Sequence, residues 1–153
     1  MYGLTRPNGR FRGVVLAAFM LATFAPLPSL AEEPSLAIGG YDPVAYFTLG
    51  SATKGDPKHE YVWDESRYLF ATAEDRKIFK ANPGQYAPQF GGLCAIALAD
   101  GTIVESNPEH WLITDGKLYL FRTSAGRDRF SRNLRENIEH ANNWRWLTPA
   151  AEQ

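Results

Sequence analysis

Cysteine is nearly missing from this sequence, with one residue, Cys94, among 153. A lone thiol closes no intramolecular disulfide, so packing has to hold the core together. Histidine is also scarce. His59, His110 and His140 never fall three or four positions apart, which removes the paired imidazoles on one helix face that hold a zinc ion in many enzymes. An excess of either charge is missing too: 16 basic residues face 17 acidic ones, a net charge of −1. A balance of that kind gives no electrostatic footprint for nucleic acid or an anionic membrane surface. No apolar run reaches the roughly 20 residues of a spanning helix. No internal repeat and no low-complexity segment is read from the chain.

What is present begins with a processing signal. Arg6, Arg10 and Arg12 make a basic start, Gly13 to Phe24 is a short apolar run, and Ser29-Leu30-Ala31 is a small-x-small cleavage site. The first 31 residues are therefore expected to be a secretory signal peptide, with the product periplasmic or secreted and left without a stable membrane anchor. Without the three arginines, 16 − 3 = 13 basic residues stand against 17 acidic ones, a mildly acidic product. Residues 32–40 read as an arm, residues 41–147 as one domain, and residues 148–153 as a tail. Four Trp, seven Tyr and nine Phe in the full chain supply large surfaces for a core.

Tyr68 to Pro88 is the most informative stretch. Tyr68-Leu69-Phe70 suits a half-buried strand. Thr72 is placed to cap a helix, with Glu74 and Asp75 at the positive end of its dipole. Ile78 and Phe79 give that helix an inward edge. Asn82 before Pro83 stops it, and Tyr86 is expected to fold back on Phe79. Upstream, Pro43 begins an extended segment or a short helical turn, and Leu49 to His59 reads as a surface loop. Glu60–Trp63 and Arg67–Phe70 form a hairpin across Asp64-Glu65-Ser66.

Downstream, Phe90 to Ala99 is small and apolar, and its pattern does not decide between strand and helix. Thr102-Ile103-Val104 is strand-like after a turn at Asp100-Gly101, and Asn107-Pro108 marks a further turn. Trp111–Ile113 pairs with Leu118–Phe121 across Asp115-Gly116, a strong primed-turn signal. Phe130, Leu134, Ile138 and Ala141 then recur at helical spacing, so Ala125 to Trp144 reads as one amphipathic closing helix. Together these elements predict a small α+β domain of antiparallel hairpins packed with a central short helix and a C-terminal amphipathic helix.

With those segments placed, the chain resembles the YHS domain family. The resemblance rests on Asp42-Pro43-Val44, Tyr68-Leu69-Phe70, Phe79 and Asn82-Pro83-Gly84-Gln85-Tyr86. Gly91-Gly92-Leu93-Cys94-Ala95, Trp111 and Gly116-Lys117-Leu118-Tyr119-Leu120 look like the longer, exported, single-domain branch. The resemblance implies the fold and no settled activity. Metal-associated members of the wider group carry cysteines where this chain has Ala45, Ala71 and Asp75, and soft thiolates are what select copper or zinc.

Tyr41, Asp42, Tyr46, Tyr68, Cys94 and Trp111 are the candidate ligand-binding residues, an aromatic pocket with one carboxylate and one thiol. Asp42 alternatively caps a turn at Pro43, and each aromatic is alternatively plain core. Cys94 and His110 are the candidate catalytic pair, a thiol nucleophile with a base; Cys94 is alternatively a small buried hydrophobe. Trp144-Arg145-Trp146 is a candidate partner-binding edge. The expected function is a non-catalytic binding module for a small molecule or a transition metal ion, and the alternative is a thiol-dependent enzyme or redox protein using Cys94. No metal ligand set is assigned, and no protein partner is identified.

Overall fold

The computed structural model describes Gly3 and residues 33–147, with side chains through Asn143. The proposed signal peptide, the tail and the side chains of Trp144-Arg145-Trp146 lie outside the described residues. All the elements named below belong to one compact unit within Glu32–Gln153. Strands and helices alternate in an α+β arrangement with antiparallel hairpins. No described helix is long and apolar enough to cross a membrane.

The order is β1 (Ser35–Leu36), α1 (Ala45–Thr48), β2 (Asp56–Trp63), β3 (Ser66–Phe70), α2 (Ala73–Ala81), α3 (Pro83–Tyr86), α4 (Ala95–Ala99), β4 (Asn107–Thr114), β5 (Lys117–Phe121), α5 (Ser124–Arg132) and α6 (Leu134–Leu147). Two tight turns, Ala37–Gly40 and Gln89–Gly92, precede α1 and α4. One sheet has the order β1-β3-β2 and the other is the β4-β5 hairpin. The arm at 32–40 thus contributes a strand: Ser35 and Leu36 pair in parallel with Ser66 and Arg67.

Contrary to the reading of the sequence, the domain contains an internal repeat. The β2-β3 hairpin pairs Asp56 with Phe70, Glu60 with Leu69 and Trp63 with Ser66, with a bulge after the first pair. The β4-β5 hairpin pairs Asn107 with Phe121, Trp111 with Leu120 and Thr114 with Lys117, with a bulge at the same point. Across the hairpins the offset is 107 − 56 = 51, and at the tight turns upstream it is 90 − 38 = 52. Each hairpin runs into a nine-residue helix whose capping threonine, Thr72 or Thr123, accepts a hydrogen bond from the N–H three residues on. Each helix buries one phenylalanine completely, Phe79 or Phe130. Upstream, Ile38-Gly39-Gly40 and Phe90-Gly91-Gly92 hold matching runs of positive φ.

The two repeats share core. Tyr119 and Phe121 of β5 pack with Phe90, Cys94, Ile96 and Phe130, whereas Leu118 and Leu120 pack with Val44, Tyr46, Phe70 and Phe79. Strand alternation explains this, because successive side chains of β5 face opposite sides. β5 is a partition between two apolar clusters, one for each repeat.

Several local expectations are corrected. Leu49 to His59 is a loop only to Gly55, since β2 starts at Asp56 and accommodates Pro57 within the irregular stretch between Asp56 and Glu60. Asn107-Pro108 likewise opens β4 instead of forming a turn. Thr102–Val104 is not a strand: the Thr102 N–H and hydroxyl both bond back to the Ala97 carbonyl at the end of α4. The undecided Phe90 to Ala99 run becomes a tight turn followed by α4. The single closing helix is two, α5 and α6, broken at Asn133 (φ −127°, ψ 52°). Tyr86 packs edge-on against Phe47 at 5.3 Å and lies against the apolar cluster that contains Phe79.

Candidate functional site

Equivalent positions in the two repeats expose what Asp42 and Cys94 do. Asp42 is fully buried. Its Oδ1 accepts from the N–H groups of Val44 (2.8 Å) and Ala45 (3.4 Å), and its Oδ2 from the N–H of Ala71 (2.7 Å). The carboxylate therefore ties the start of α1 to the end of β3. Burial raises its pKa to about 6, opposed by these backbone donors and helped by the charge of Asp75. Cys94 stands at the matching place, 2 % exposed. Its Sγ accepts from the N–H of Arg122 at 3.3 Å, and Arg122 is the counterpart of Ala71. The Asp42 N–H bonds the Thr53 carbonyl as the Cys94 N–H bonds the Val104 carbonyl.

The three places where the resembled group carries cysteines gather around Asp42. Ala45 and Ala71 donate to it, and the Asp75 charge acts on it. Those places offer no thiolate, and Asp75 already accepts from the Thr72 hydroxyl at 2.7 Å. Such a donor set does not fit a soft metal ion. Among the described residues no group of three or more His, Cys, Asp or Glu is arranged to hold a metal.

Tyr41, Tyr46 and Trp111 do come together, but as a latch between the repeats. The Tyr46 ring meets Trp111 edge-on at 5.4 Å, and its hydroxyl donates to the Pro108 carbonyl at 3.0 Å. The Tyr41 hydroxyl donates to Glu109 Oε1 at 2.9 Å, and Lys54 Nζ sits 3.9 Å from the Tyr41 ring centre. Burial raises the Tyr46 pKa far above its usual value, so the latch is made of neutral phenols. His110 is partly exposed on β4, and among the described residues no hydrogen bond joins it to Cys94.

Open space lies elsewhere, on the far side of β3 from Asp42's partner strand end, where the tight turns border the hairpins. One cleft of about 220 Å³ is walled by Trp63, Tyr68, Pro88 and Phe90, with Asp64, Ser66 and Gln89 as polar groups. A second, of about 320 Å³, runs between the two tight turns from Ile38 and Gly39 to Gly91 and Gly92, with Ser66, Glu105 and Ser106. Ser66 and Gly91 line both, so the clefts adjoin. Ile38 and Phe90 hold φ of 51° and 58° beside them, a left-handed conformation that costs a bulky residue energy.

Of the residues singled out from sequence, Tyr68 alone lines the first cleft. It is 5 % exposed; burial, then the Asp64 charge, pushes its pKa up to about 12, and its hydroxyl has no hydrogen-bond partner among the described residues. Trp63, Asp64, Ser66 and Phe90 were not singled out. Asp64-Glu65, read as a plain connection, is a turn with φ of 47° and 58°, and no sequence signal showed that the later Gln89–Gly92 turn would meet it.

The fold and the clefts define a small α+β module built from two repeats with a recess beside β3. Comparison of the chain with known protein families, with curated proteins and with solved structures finds no match.

Proposed function

We propose that this protein is an exported, YHS-like binding module that is not an enzyme and holds a small molecule in the adjoining clefts at Ser66 and Gly91. The observation that carries this reading is the strained pair of turns: Phe90, lining the first cleft, and Ile38, lining the second, keep left-handed φ values. Strain of that kind is retained where a geometry is used. The residue pattern of Asp42-Pro43-Val44, Tyr68-Leu69-Phe70 and Asn82-Pro83 supports the family reading, and the basic start with its short apolar run supports export.

The thiol-enzyme alternative is weakened by the position of Cys94. A reactive thiol needs partial exposure and a base or cation beside it, whereas this sulfur is buried and receives the Arg122 N–H in the place where the first repeat uses Asp42. Native mass spectrometry of protein from the exported fraction tests the proposal, before and after chelation and with free thiols counted. An added mass that survives chelation and is lost in Ser66→Trp is the expected result. A bare mass, or an added mass that Ser66→Trp retains, overturns it.

A further inference from the structure

We infer that the cleft lined by Trp63, Tyr68 and Phe90 takes a small organic cation, a primary or quaternary ammonium, an inference that rests on the binding-module reading above. Trp63 and Tyr68 pack against each other, with ring centres 6.3 Å apart and planes inclined by 52°, and against Phe79, and with Phe90 they line the recess. Aromatic faces attract cations, tryptophan most strongly. Asp64 in the lining supplies the opposite charge, and among the described residues no basic side chain lines the cleft. Arg67, between Ser66 and Tyr68 in β3, alternates to the opposite face and meets Glu60 at 3.4 Å. The Tyr68 side chain is 5 % exposed and lines the cleft, and among the described residues its hydroxyl has no hydrogen-bond partner; a ligand's own polar group in the recess would supply one.

The second repeat provides an internal comparison. The counterparts of Trp63, Asp64, Ser66 and Tyr68 are Thr114, Asp115, Lys117 and Tyr119. There the hairpin keeps the carboxylate and the tyrosine, carries Lys117 where the first repeat has Ser66, and has Thr114 where the first repeat has Trp63. The first repeat thus has an indole and no lysine at the two positions that line its cleft.

Isothermal titration of the full chain with choline, and with its uncharged isostere 3,3-dimethylbutan-1-ol, tests this. Choline is expected to bind saturably and the isostere about tenfold more weakly, as a cation–π contact of moderate strength implies. Asp64→Asn is expected to weaken choline by a similar factor while Asp115→Asn leaves it unchanged. Asparagine tolerates the positive φ of this exposed turn, so the variant tests binding even if a Trp63→Leu chain fails to fold. Equal binding of the isostere, or equal effects of the two Asp→Asn changes, overturns the ligand class and leaves the binding-module reading standing. No heat from either probe also overturns the ligand class; an added mass lost in Ser66→Trp would then still support a binding module, whereas a bare native mass would overturn both.

Discussion

The two repeats keep one set of residues and change another, and the division follows the work each set does. Tyr68, Leu69, Phe70, Thr72, Phe79 and Asn82 recur as Tyr119, Leu120, Phe121, Thr123, Phe130 and Asn133. These are the strand that fills the core, the helix cap, the buried ring under the helix and the residue where the helix ends. Asp42, Gly55, Trp63 and Ser66 become Cys94, Ser106, Thr114 and Lys117. At the first of these positions the task is preserved by different chemistry, a carboxylate or a sulfur accepting the N–H at the end of the strand. At Trp63 and Ser66 the task itself differs, because those residues line a cleft. Most residues that build the frame are the same twice, Asp42 and Cys94 being an exchange that keeps the contact, and Trp63 and Ser66 differ where a cleft is lined.

The comparison can be broken hardest at the buried rings. Phe79→Ala and Phe130→Ala are each expected to cost about 3–5 kcal/mol. Because Leu118 and Leu120 complete the cluster around Phe79 while Tyr119 and Phe121 complete the one around Phe130, each variant is expected to unfold in one transition. Urea unfolding with two separated steps in either variant would show that the repeats fold independently. Gly55→Ala comes next. A Cβ there would lie 2.5 Å from the Leu69 carbonyl carbon, an overlap expected to cost about 1–3 kcal/mol, whereas Ser106→Ala at the matching position removes one hydroxyl bond to the Gly92 carbonyl and about 1 kcal/mol. A smaller loss for Gly55→Ala than for Ser106→Ala in thermal unfolding would contradict the close approach.

A pH series sharpens the contrast between Asp42 and Cys94. Burial holds the folded pKa of Asp42 at about 6, above its ordinary 3.8, so the folded chain takes up a proton that the unfolded chain does not. The stabilisation from this group is fully present below pH 3.8 and is lost as pH rises through about 6. Relative to Asp42→Asn, the wild-type urea midpoint is expected to fall across that window, and a parallel course for the two proteins would remove Asp42 as the cause. The smallest expected effects are at the caps. Thr72→Ala and Thr123→Ala should each cost about 1 kcal/mol, and a large inequality between them by thermal unfolding would show that the two helix starts are not equivalent.

Much of the frame was legible because its signals are local. Thr72, Pro83 and Asp115-Gly116 act on neighbouring backbone, and each does at its place what its chemistry requires. The repeat was harder to see, although Tyr-Leu-Phe-x-Thr stands in the chain twice. Between the matching positions the helices differ nearly throughout, and the first helix stops before Pro83 while the second passes through Asn133 into α6, so the two stretches look like different units. The break at Asn133 was hidden for a related reason: Phe130 and Ala141 face the same cluster across it, and the apolar spacing continues as though the helix did. The clefts were not legible, because they depend on where the Gln89–Gly92 turn meets β3, a contact between residues far apart in sequence. Tyr46 and Trp111, grouped from sequence as pocket residues, meet edge-on, and Tyr46 gives its hydroxyl hydrogen to the Pro108 carbonyl, a contact no local pattern announces.

The most direct test compares the repeats on the point where they are proposed to differ. Native mass spectrometry of the purified protein would be run on the wild type, on Trp63→Thr with Ser66→Lys, and on Thr114→Trp with Lys117→Ser. The first double change gives the first repeat the residues of the second, and the other does the reverse. The same added mass on the wild type and on the second-repeat variant, with a bare mass for the first-repeat variant, is the predicted result. A bare wild type, or an added mass that survives in the first-repeat variant, would contradict the account.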